Sequence, residues 1–222
     1  MDEVLEIRRL HLASLTVGTG ERWPVHGFVV THANGAVLVD TGVGGPPDAL
    51  AEWRVVNRTV AEALADIDMT PGDIDLVINT HLHFDHCGQN AVFKHAACWV
   101  QRGELARAKV EEPDLYDWFG FMDARFELLD GDTEVLPGLR VITTPGHTSG
   151  HQSVLVQTAD DSFDVLIGDA VYTTAQYSGP PDEDLPPGQA ADPVSWRDSL
   201  QRVRGLGAAQ VHFCHDTQVL HG

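Results

Sequence analysis

The densest group of metal-binding side chains in the sequence follows a short apolar run. Residues 74–80, IDLVINT, show no polar–apolar alternation, a pattern typical of a strand buried on both faces. His81 and His83 come directly after it and are two residues apart, so in an extended chain they leave the same face and can reach one ion. Asp85 and His86 follow where the backbone is expected to turn into a loop or helix, and they can reach a second ion.

Three further candidate ligands each stand at the end of a predicted strand. They are His147 in PGHTSGH, Asp169 in GDA and His215 after QVHFC. Functional side chains often stand at such ends, although each of these residues taken alone fits a structural role better. Together with the first cluster they complete two coordination shells, whereas the competing interpretation of that cluster is a solvated, histidine-rich loop. Imidazole and carboxylate ligands without thiolate suit Zn²⁺, and also Mn²⁺, Fe and Co²⁺.

Composition and charge restrict the partners of the chain more than its substrate. The 222 residues, 43% hydrophobic and 21% charged, predict one globular domain over residues 1–222. The net charge of −19 disfavours nucleic acid and anionic membranes as partners. The first ten residues are too polar for a signal peptide and no apolar run has membrane-spanning length, so a cytoplasmic location is expected. Cys87, Cys98 and Cys214 are too few and too scattered for a disulfide framework.

Strands dominate the predicted organisation, with helices between them. A first strand over 6–17 precedes a hairpin of residues 26–33 and 35–42, with Asn34-Gly35 at its turn. Further strands are predicted at 98–101, 125–129, 133–136, 139–143, 151–157, 163–168 and 209–213, and helices near 57–68, 102–110 and 193–204. The stretch 111–124 is aromatic and irregular, and the Pro-, Gly- and acid-rich stretch 178–192 is predicted to be an exposed loop.

The order His-x-His-x-Asp-His, Gly-His, Gly-Asp and a late His resembles the metallo-β-lactamase superfamily over nearly the whole chain. The early LVDTG, residues 38–42, is also similar to a strand and turn of that family. The resemblance implies an α/β fold, the αββα sandwich. It further implies that Asp40 orients metal ligands, with an ordinary turn acid as an equal alternative. The implied ligand sets are His81, His83 and His147 for one metal, Asp85, His86 and His215 for the other, and Asp169 as a bridge.

Within the superfamily the sequence is most similar to N-acyl homoserine lactone lactonases. HLHFDH, TPGHTSGHQS and HFCHD resemble the lactonase segments, and Tyr172 follows Asp169 by three residues as it does there. Asp169 argues against true β-lactamases, which commonly have cysteine at that position, and His83 argues against the flavo-diiron branch, which has Glu. The length leaves no room for the added domain of glyoxalase II-like thioesterases. Cys87 and Gln89 depart from the small residue and the Gly usual in lactonases.

The lactonase resemblance implies a small-molecule substrate, an N-acyl homoserine lactone, and two Zn²⁺ ions, with Fe, Mn or Co as alternatives. A hydroxide that bridges the metals would attack the lactone carbonyl, while Tyr172 donates a hydrogen bond to the developing charge. Asp85 would pass the proton to the leaving oxygen. Phe84 and Tyr172 are the predicted substrate contacts, although core packing is an alternative for Tyr172. The aromatic residues of 111–124 either extend the pocket or form plain core, and a monomer or a homodimer is expected.

Three alternative functions stay open at this point. The first is hydrolysis of another ester, thioester or lactone on the same site. The second is a mononuclear iron persulfide dioxygenase on this fold, which needs one three-ligand site only. The third is a binding module that takes up metal without turnover. Among the remaining residues, His151 either supports the site or is an ordinary buried histidine, Cys214 is expected to face away from the metals, and Cys87 to be buried as a small hydrophobe.

Overall fold

The computed structural model describes residues 5–18, 20–33, 35–158, 162–180, 185–186 and 188–222. Its strands are β1 (Glu6–Thr16), β2 (Arg22–His32), β3 (Gly35–Val39), β4 (Val56–Asn57), β5 (Leu76–Ile78), β6 (Ala97–Gln101), β7 (Phe126–Leu129), β8 (Thr133–Leu136), β9 (Leu139–Thr143), β10 (Gln152–Gln157), β11 (Phe163–Leu166), β12 (Gln210–His212) and β13 (Val219–His221). Its α-helices are α1 (Pro47–Glu52), α2 (Val60–Ala65), α3 (Phe84–Cys87), α4 (Arg102–Glu111), α5 (Tyr116–Phe119), α6 (Thr174–Ser178) and α7 (Pro193–Gly205).

The described strands form two mixed sheets. The first has the order β4-β1-β2-β3-β5-β6-β7, in which β1 to β3 are antiparallel and β3, β5, β6 and β7 are parallel. The second has the order β13-β12-β11-β10-β9-β8 and is antiparallel except for the parallel pair β11 and β12. The predicted hairpin is present, with His32 opposite Gly35. Asn34 of its predicted turn lies outside the described residues.

Alternation along the strands separates three apolar layers. Phe28 and Val30 of β2 belong to the core between the sheets, together with Val141 and Val154 of the second sheet. Val29, between them in the chain, faces the opposite way and packs in the cluster that holds α2. The outer face of the second sheet packs against α7 through its side chains Trp196, Leu200 and Val203. This arrangement of helix, sheet, sheet and helix confirms the αββα sandwich that the sequence implied.

Most predicted elements are present with shorter bounds, and one prediction is wrong. The helix predicted near 57–68 is α2, which begins at a capping box in which Thr59 and Glu62 exchange hydrogen bonds. The stretch 111–124 is not irregular throughout, because α5 forms within it. The helix forms there because Phe119 is fully buried against Leu82 and Cys87, which holds the segment on the core. Within the described ranges, no helix combines the length and the hydrophobicity needed to cross a bilayer.

Two glycines allow the helix α3 to approach the loop after β3. A Cβ built on Gly88 would lie 1.8 Å from the backbone nitrogen of Gly44, which cannot move independently of its chain. We therefore expect Gly88→Ala to lower the free energy of unfolding by about 1–3 kcal/mol. Gly103→Ala is the control, because a Cβ there meets no atom within 4 Å and alanine favours the helix. Equal urea midpoints for the two variants would contradict this account of the contact.

Candidate metal centre

The seven predicted ligands lie together at one edge of the sandwich, in the loops, turns and the short helix α3 that follow strand ends. The parallel strands β3 and β5 end at this edge of the first sheet, and β11 and β12 end at it in the second sheet. His81 follows β5, Asp169 follows β11 and His215 follows β12, while His147 lies in the turn between β9 and β10. Most of these side chains are buried, although His83 keeps 29% of its side-chain surface exposed.

Three imidazole nitrogens of the first group converge on one point. His81 Nε2 lies 2.9 Å from His83 Nδ1 and 3.2 Å from His147 Nε2. His147 Nε2 is in turn 2.9 Å from His83 Nδ1. Two of these atoms come from the segment after β5 and the third from the turn between β9 and β10, and together they bring three lone pairs to a shared position, which is the arrangement of a metal-binding face.

A second group forms beside the first, from one carboxylate and two imidazoles. Asp85 Oδ2 lies 3.6 Å from His215 Nε2 and 3.8 Å from His86 Nε2. Asp85 and His86 are adjacent residues in α3, and both of their side chains reach the region beside His215. The described residues therefore include both three-residue sets that the resemblance implied.

Asp169 reaches both groups with its two oxygens. Its Oδ1 lies 3.3 Å from His86 Nε2 and 3.3 Å from His215 Nε2, in the second group. Its Oδ2 lies 3.4 Å from His147 Nε2 and 3.9 Å from His81 Nε2, in the first group. The carboxylate thus stands between two potential metal positions, as a bridging ligand must.

The ring nitrogens that face away from the site have polar partners of their own. His86 Nδ1 lies 2.8 Å from Asp40 Oδ2, and His81 Nδ1 lies 3.1 Å from Thr80 Oγ1. The remaining partners are backbone oxygens, that of Gln189 at 3.2 Å from His147 Nδ1 and that of Pro24 at 2.9 Å from His215 Nδ1. Such contacts fix the tautomer and the ring orientation of a ligating histidine.

A constrained backbone holds the Asp40 carboxylate beside His86. It has a φ of 59°, in the left-handed region that non-glycine residues rarely adopt. Its Oδ1 accepts a hydrogen bond from the Thr80 backbone N–H at 2.8 Å, and its Oδ2 accepts one from the Thr80 hydroxyl at 2.8 Å. Because the same carboxylate also contacts His86, the geometry favours an orienting role for Asp40 over an ordinary turn acid.

His151 supports Asp169 from behind. Its Nε2 accepts a hydrogen bond from the Asp169 backbone N–H at 2.9 Å, and its Nδ1 lies 2.8 Å from Thr144 Oγ1. Burial lowers the pKa of His151 to about 3, so the ring is neutral and its Nε2 is available as an acceptor. Gly168 is needed here, since a Cβ on it would lie 2.7 Å from His151 Nε2 and its φ is +60°.

The charges of the site favour a cation in the second group. Burial alone would lower the pKa of His86, but the carboxylates of Asp169, Asp85 and Asp40 raise it well above its ordinary value. In the first group, burial and the neighbouring imidazoles lower the pKa of His81 and His83 well below theirs. The first group is therefore neutral and ready to donate lone pairs, and the second attracts positive charge.

Two buried polar atoms of the site indicate that a ligand belongs there. His86 Nε2 and Asp169 Oδ1 make no hydrogen bond within the described part of the chain. Leaving buried polar atoms unpaired costs free energy, so a ligand is expected to satisfy them. A divalent cation fits this demand, because the donors are imidazole nitrogens and carboxylate oxygens that face one another.

Metal removal is expected to destabilise the fold. A chelator would leave the buried ligands without the cation that satisfies them, and a metal present at 100 times its Kd contributes about 2.7 kcal/mol. We expect the Tm to fall on chelation and to recover when Zn²⁺ is added back, as measured by thermal denaturation. Mg²⁺ at the same concentration is the control and should not restore the Tm, because it prefers oxygen ligands. An unchanged Tm in protein stripped of metal would contradict this expectation.

The predicted substrate contacts lie around the two groups. The Tyr172 ring stands between them, 5.7 Å from the His147 ring and 5.5 Å from the His215 ring. A Cβ on Gly188 would lie 3.6 Å from the Tyr172 hydroxyl, and Gly188 lines a cavity of about 500 Å³ that opens beside His83 and His147.

An apolar surface lies beside α3. Phe84 is half-buried, and its ring centroid lies 6.0 Å from that of Trp53. Trp23 packs in the same cluster as Phe84 and contacts the Tyr172 ring at 5.2 Å. The two tryptophans were not predicted, since neither stands near a ligand in the sequence. The aromatic residue Phe119 lies instead in the core, which supports the plain-core interpretation for that part of 111–124.

One other prediction needs correction. Residues 178–192 are not an exposed loop throughout, because Gln189 is fully buried. Its side-chain amide donates to the Asp169 carbonyl at 2.7 Å and its backbone carbonyl lies 3.2 Å from His147 Nδ1, so Gln189 packs against two of the ligands. Residues 181–184 and 187 of this predicted loop lie outside the described residues. Cys214 is buried in the core cluster between the sheets, with its sulfur within 4.8 Å of polar side-chain atoms of Asp40 and His86. Cys87 is buried in an apolar cluster, as predicted.

Comparison with known proteins agrees with this geometry. Residues 20–215 match the family described as Metallo-beta-lactamase superfamily. An N-acyl homoserine lactonase of Bacillus cereus is 30% identical, with 93% of this chain and 86% of that protein covered. The N-acyl homoserine lactonase AttM of Azorhizobium caulinodans is 30% identical, with 94% and 88% covered.

Solved structures give the same result. A quorum-quenching N-acyl homoserine lactone lactonase superposes with a TM-score of 0.80 at 27% identity, covering 98% of this chain and 95% of that chain. An N-acyl homoserine lactone hydrolase with the product N-hexanoyl-L-homoserine at its catalytic metal centre superposes with a TM-score of 0.77 at 26% identity, covering 98% and 94%. With its sandwich fold, its ligand groups and a family match over most of its length, the chain belongs to the metallo-beta-lactamase superfamily.

Proposed function

We propose that this chain is a metal-dependent hydrolase that opens the lactone ring of N-acyl homoserine lactones. The observation that carries the proposal is the position of Tyr172 between His147 and His215, above two ligand groups joined by Asp169. The lactonases that share about 30% of its sequence cover nearly the whole chain, which favours this substrate class over other esters.

The metals are proposed to be zinc, with Fe, Mn or Co as alternatives that the same ligands accept. His81, His83 and His147 would hold one ion, Asp85, His86 and His215 the other, and Asp169 would contact both. Bound there, the ions supply Lewis acidity to a carbonyl oxygen and lower the pKa of water towards neutrality. The convergence of Asp85, His86 and His215 argues against the dioxygenase alternative, which needs a single three-ligand site.

Tyr172 is proposed to stabilise the charge that develops on the lactone carbonyl. Burial, followed by the charges of Asp169 and Asp85, raises the pKa of its phenol above the ordinary value. The group therefore stays protonated at neutral pH and can donate its O–H to an oxyanion. The ring is held by contacts with Trp23, His147 and His215, so its position is set before substrate arrives.

Asp85 is proposed to move the proton and Phe84 to receive the acyl group. The Asp85 carboxylate keeps 11% of its side-chain surface exposed, and its Oδ2 faces His215 and His86. There it can accept a proton from the attacking water and return it to the oxygen of the opened ring. Phe84 presents a half-buried ring next to Asp85, and with Trp53 it offers an apolar surface suited to an acyl chain. The cytoplasmic location and the choice between monomer and homodimer stay predictions.

A substrate panel tests the proposal. Zinc-loaded protein would be offered N-acyl homoserine lactones, simple γ-lactones, aryl esters and acyl thioesters, with products identified by mass spectrometry. We expect the highest kcat/KM with the acyl homoserine lactones, and a gain of 18 mass units on ring opening. Faster turnover of esters or thioesters would transfer the proposal to that class. A chain that binds zinc and turns over none of them would support the binding-module alternative.

A further inference from the structure

The end of helix α4 contacts the metal site through His83. The Nδ1 of this histidine lies 2.9 Å from His81 Nε2 and 2.9 Å from His147 Nε2, so Nδ1 is the atom that faces the first ligand group. Its Nε2 points the opposite way and lies 3.4 Å from the carboxylate of Glu112, the residue that follows α4. Glu112 therefore stands where a partner of the N–H of this ligand is expected.

Glu112 is held in that place by a nearly buried arginine. Arg107 Nη1 donates to Glu112 Oε1 at 2.5 Å, and Arg107 Nη2 donates to Glu104 Oε1 at 2.7 Å. Only 7% of the Arg107 side chain and none of the Glu104 side chain is exposed. A planar guanidinium between two carboxylates fixes their relative positions, which a flexible ammonium would not do.

Glu104 connects the same arginine to both segments that carry first-group ligands. Its Oε1 accepts the backbone N–H of Leu82 at 3.0 Å, and Leu82 lies between His81 and His83. Its Oε2 accepts the Thr148 hydroxyl at 2.7 Å, and Thr148 follows His147. One buried carboxylate thus ties together two loops that are distant in the sequence.

The second ligand group depends on other contacts. His86 is held by Asp40, and His215 is held by the backbone oxygen of Pro24. None of the hydrogen bonds of the arginine network described above reaches these two histidines. The network and Asp40 therefore support different groups of ligands.

We propose that Arg107, Glu104 and Glu112 form a positioning unit for the first metal, in which Glu112 orients His83 and Glu104 fixes the two ligand loops. The unit acts through metal ligands and touches no substrate. The inference rests on the proposed metal site but not on the proposed lactone substrate.

Zinc affinity tests this inference directly. We would measure the two Zn²⁺ affinities of the full chain by competition with a chromophoric chelator, in the parent, Glu112→Gln and Glu111→Gln. Glu112→Gln keeps the shape but loses the charge, and we expect one of the two affinities to fall by about 10–100-fold. Glu111→Gln removes the same charge from a side chain that also contacts Arg107 Nη1, at 3.3 Å, but is 63% exposed and forms no ion pair with His83 in the described part of the chain, and we expect both of its affinities to stay within about twofold of the parent values.

Asp40→Asn assigns the affected ion. This variant weakens the support of His86, so it should lower the affinity of the other zinc. The double variant Asp40→Asn/Glu112→Gln should then hold no tightly bound ion. If the double variant retains one tightly bound ion, Asp40 and Glu112 act on the same metal. That result would contradict the claim that the Arg107 network supports only the first ligand group. Parental affinities in Glu112→Gln, or an equal loss of both ions, would also overturn the proposal. Because zinc is the only probe, failure on lactones would not affect the result.

Discussion

Asp169→Ala is expected to remove nearly all activity, with kcat/KM lower by about 10³-fold or more. The reason is geometric, since the two oxygens of Asp169 reach His86 and His215 on one side and His147 on the other. Without this carboxylate, two bound cations would lose a shared ligand and would stand as uncompensated charges near each other. We therefore also expect the metal content, measured by plasma emission spectroscopy, to fall below two ions per chain.

Asp164→Asn is the matched control for this variant. Asp164 is a buried acid on β11, the strand that leads to Asp169, but it pairs with His212 away from the ligands. We expect the control to retain both metals and most of the activity. If Asp169→Ala kept two ions per chain and its kcat/KM stayed within tenfold of the parent, a bridging role for Asp169 would be untenable.

Tyr172→Phe is expected to lower kcat by about 10²–10³-fold while the metal content stays unchanged. The substitution keeps the ring that packs against Trp23, His147 and His215, and it removes only the hydroxyl. Because the phenol is protonated at neutral pH, its loss removes one donor to the developing oxyanion. KM should change less than kcat, because the hydrogen bond strengthens in the transition state.

Tyr177→Phe serves as the control for the loss of a phenol. Tyr177 lies on α6 and packs against Phe213, in the cluster between the second sheet and α7. Steady-state kinetics on one lactone, with metal analysis of each variant, compares the two changes. If Tyr172→Phe resembled Tyr177→Phe within threefold in kcat, Tyr172 would be a packing residue and the oxyanion would need another donor.

The ligands could be predicted from the sequence because most of their signal is local. His81, His83, Asp85 and His86 lie within six residues, and the spacing alone indicates which pairs share a face. The sandwich could be stated only through the family resemblance, because Phe28, Val29 and Val30 are all apolar and only the structure shows that they divide between two layers. The position of Asp169 between the groups could be stated only through the family resemblance.

The supporting contacts could not be predicted, because tertiary packing creates them. Glu104 and Arg107 look in the sequence like solvated helix charges, yet α4 is turned so that both are nearly buried beside the ligand loops. Gln189 belongs to a Pro-, Gly- and acid-rich stretch whose composition indicates an exposed loop. Its burial depends on hydrogen bonds to Asp169 and His147, which are distant in the chain. A polar residue that completes a buried site has no local pattern of its own.

The most direct test of a two-metal lactone hydrolase is a zinc titration of turnover. Metal-free chain would receive increasing Zn²⁺, and proton release from N-hexanoyl homoserine lactone would be followed at each step in weak buffer. Ring opening liberates a carboxylic acid, so the signal reports hydrolysis itself. We predict that the rate rises until two equivalents of zinc are bound and then stays constant. A maximum at one equivalent, or no acidification with two ions bound, would contradict the account.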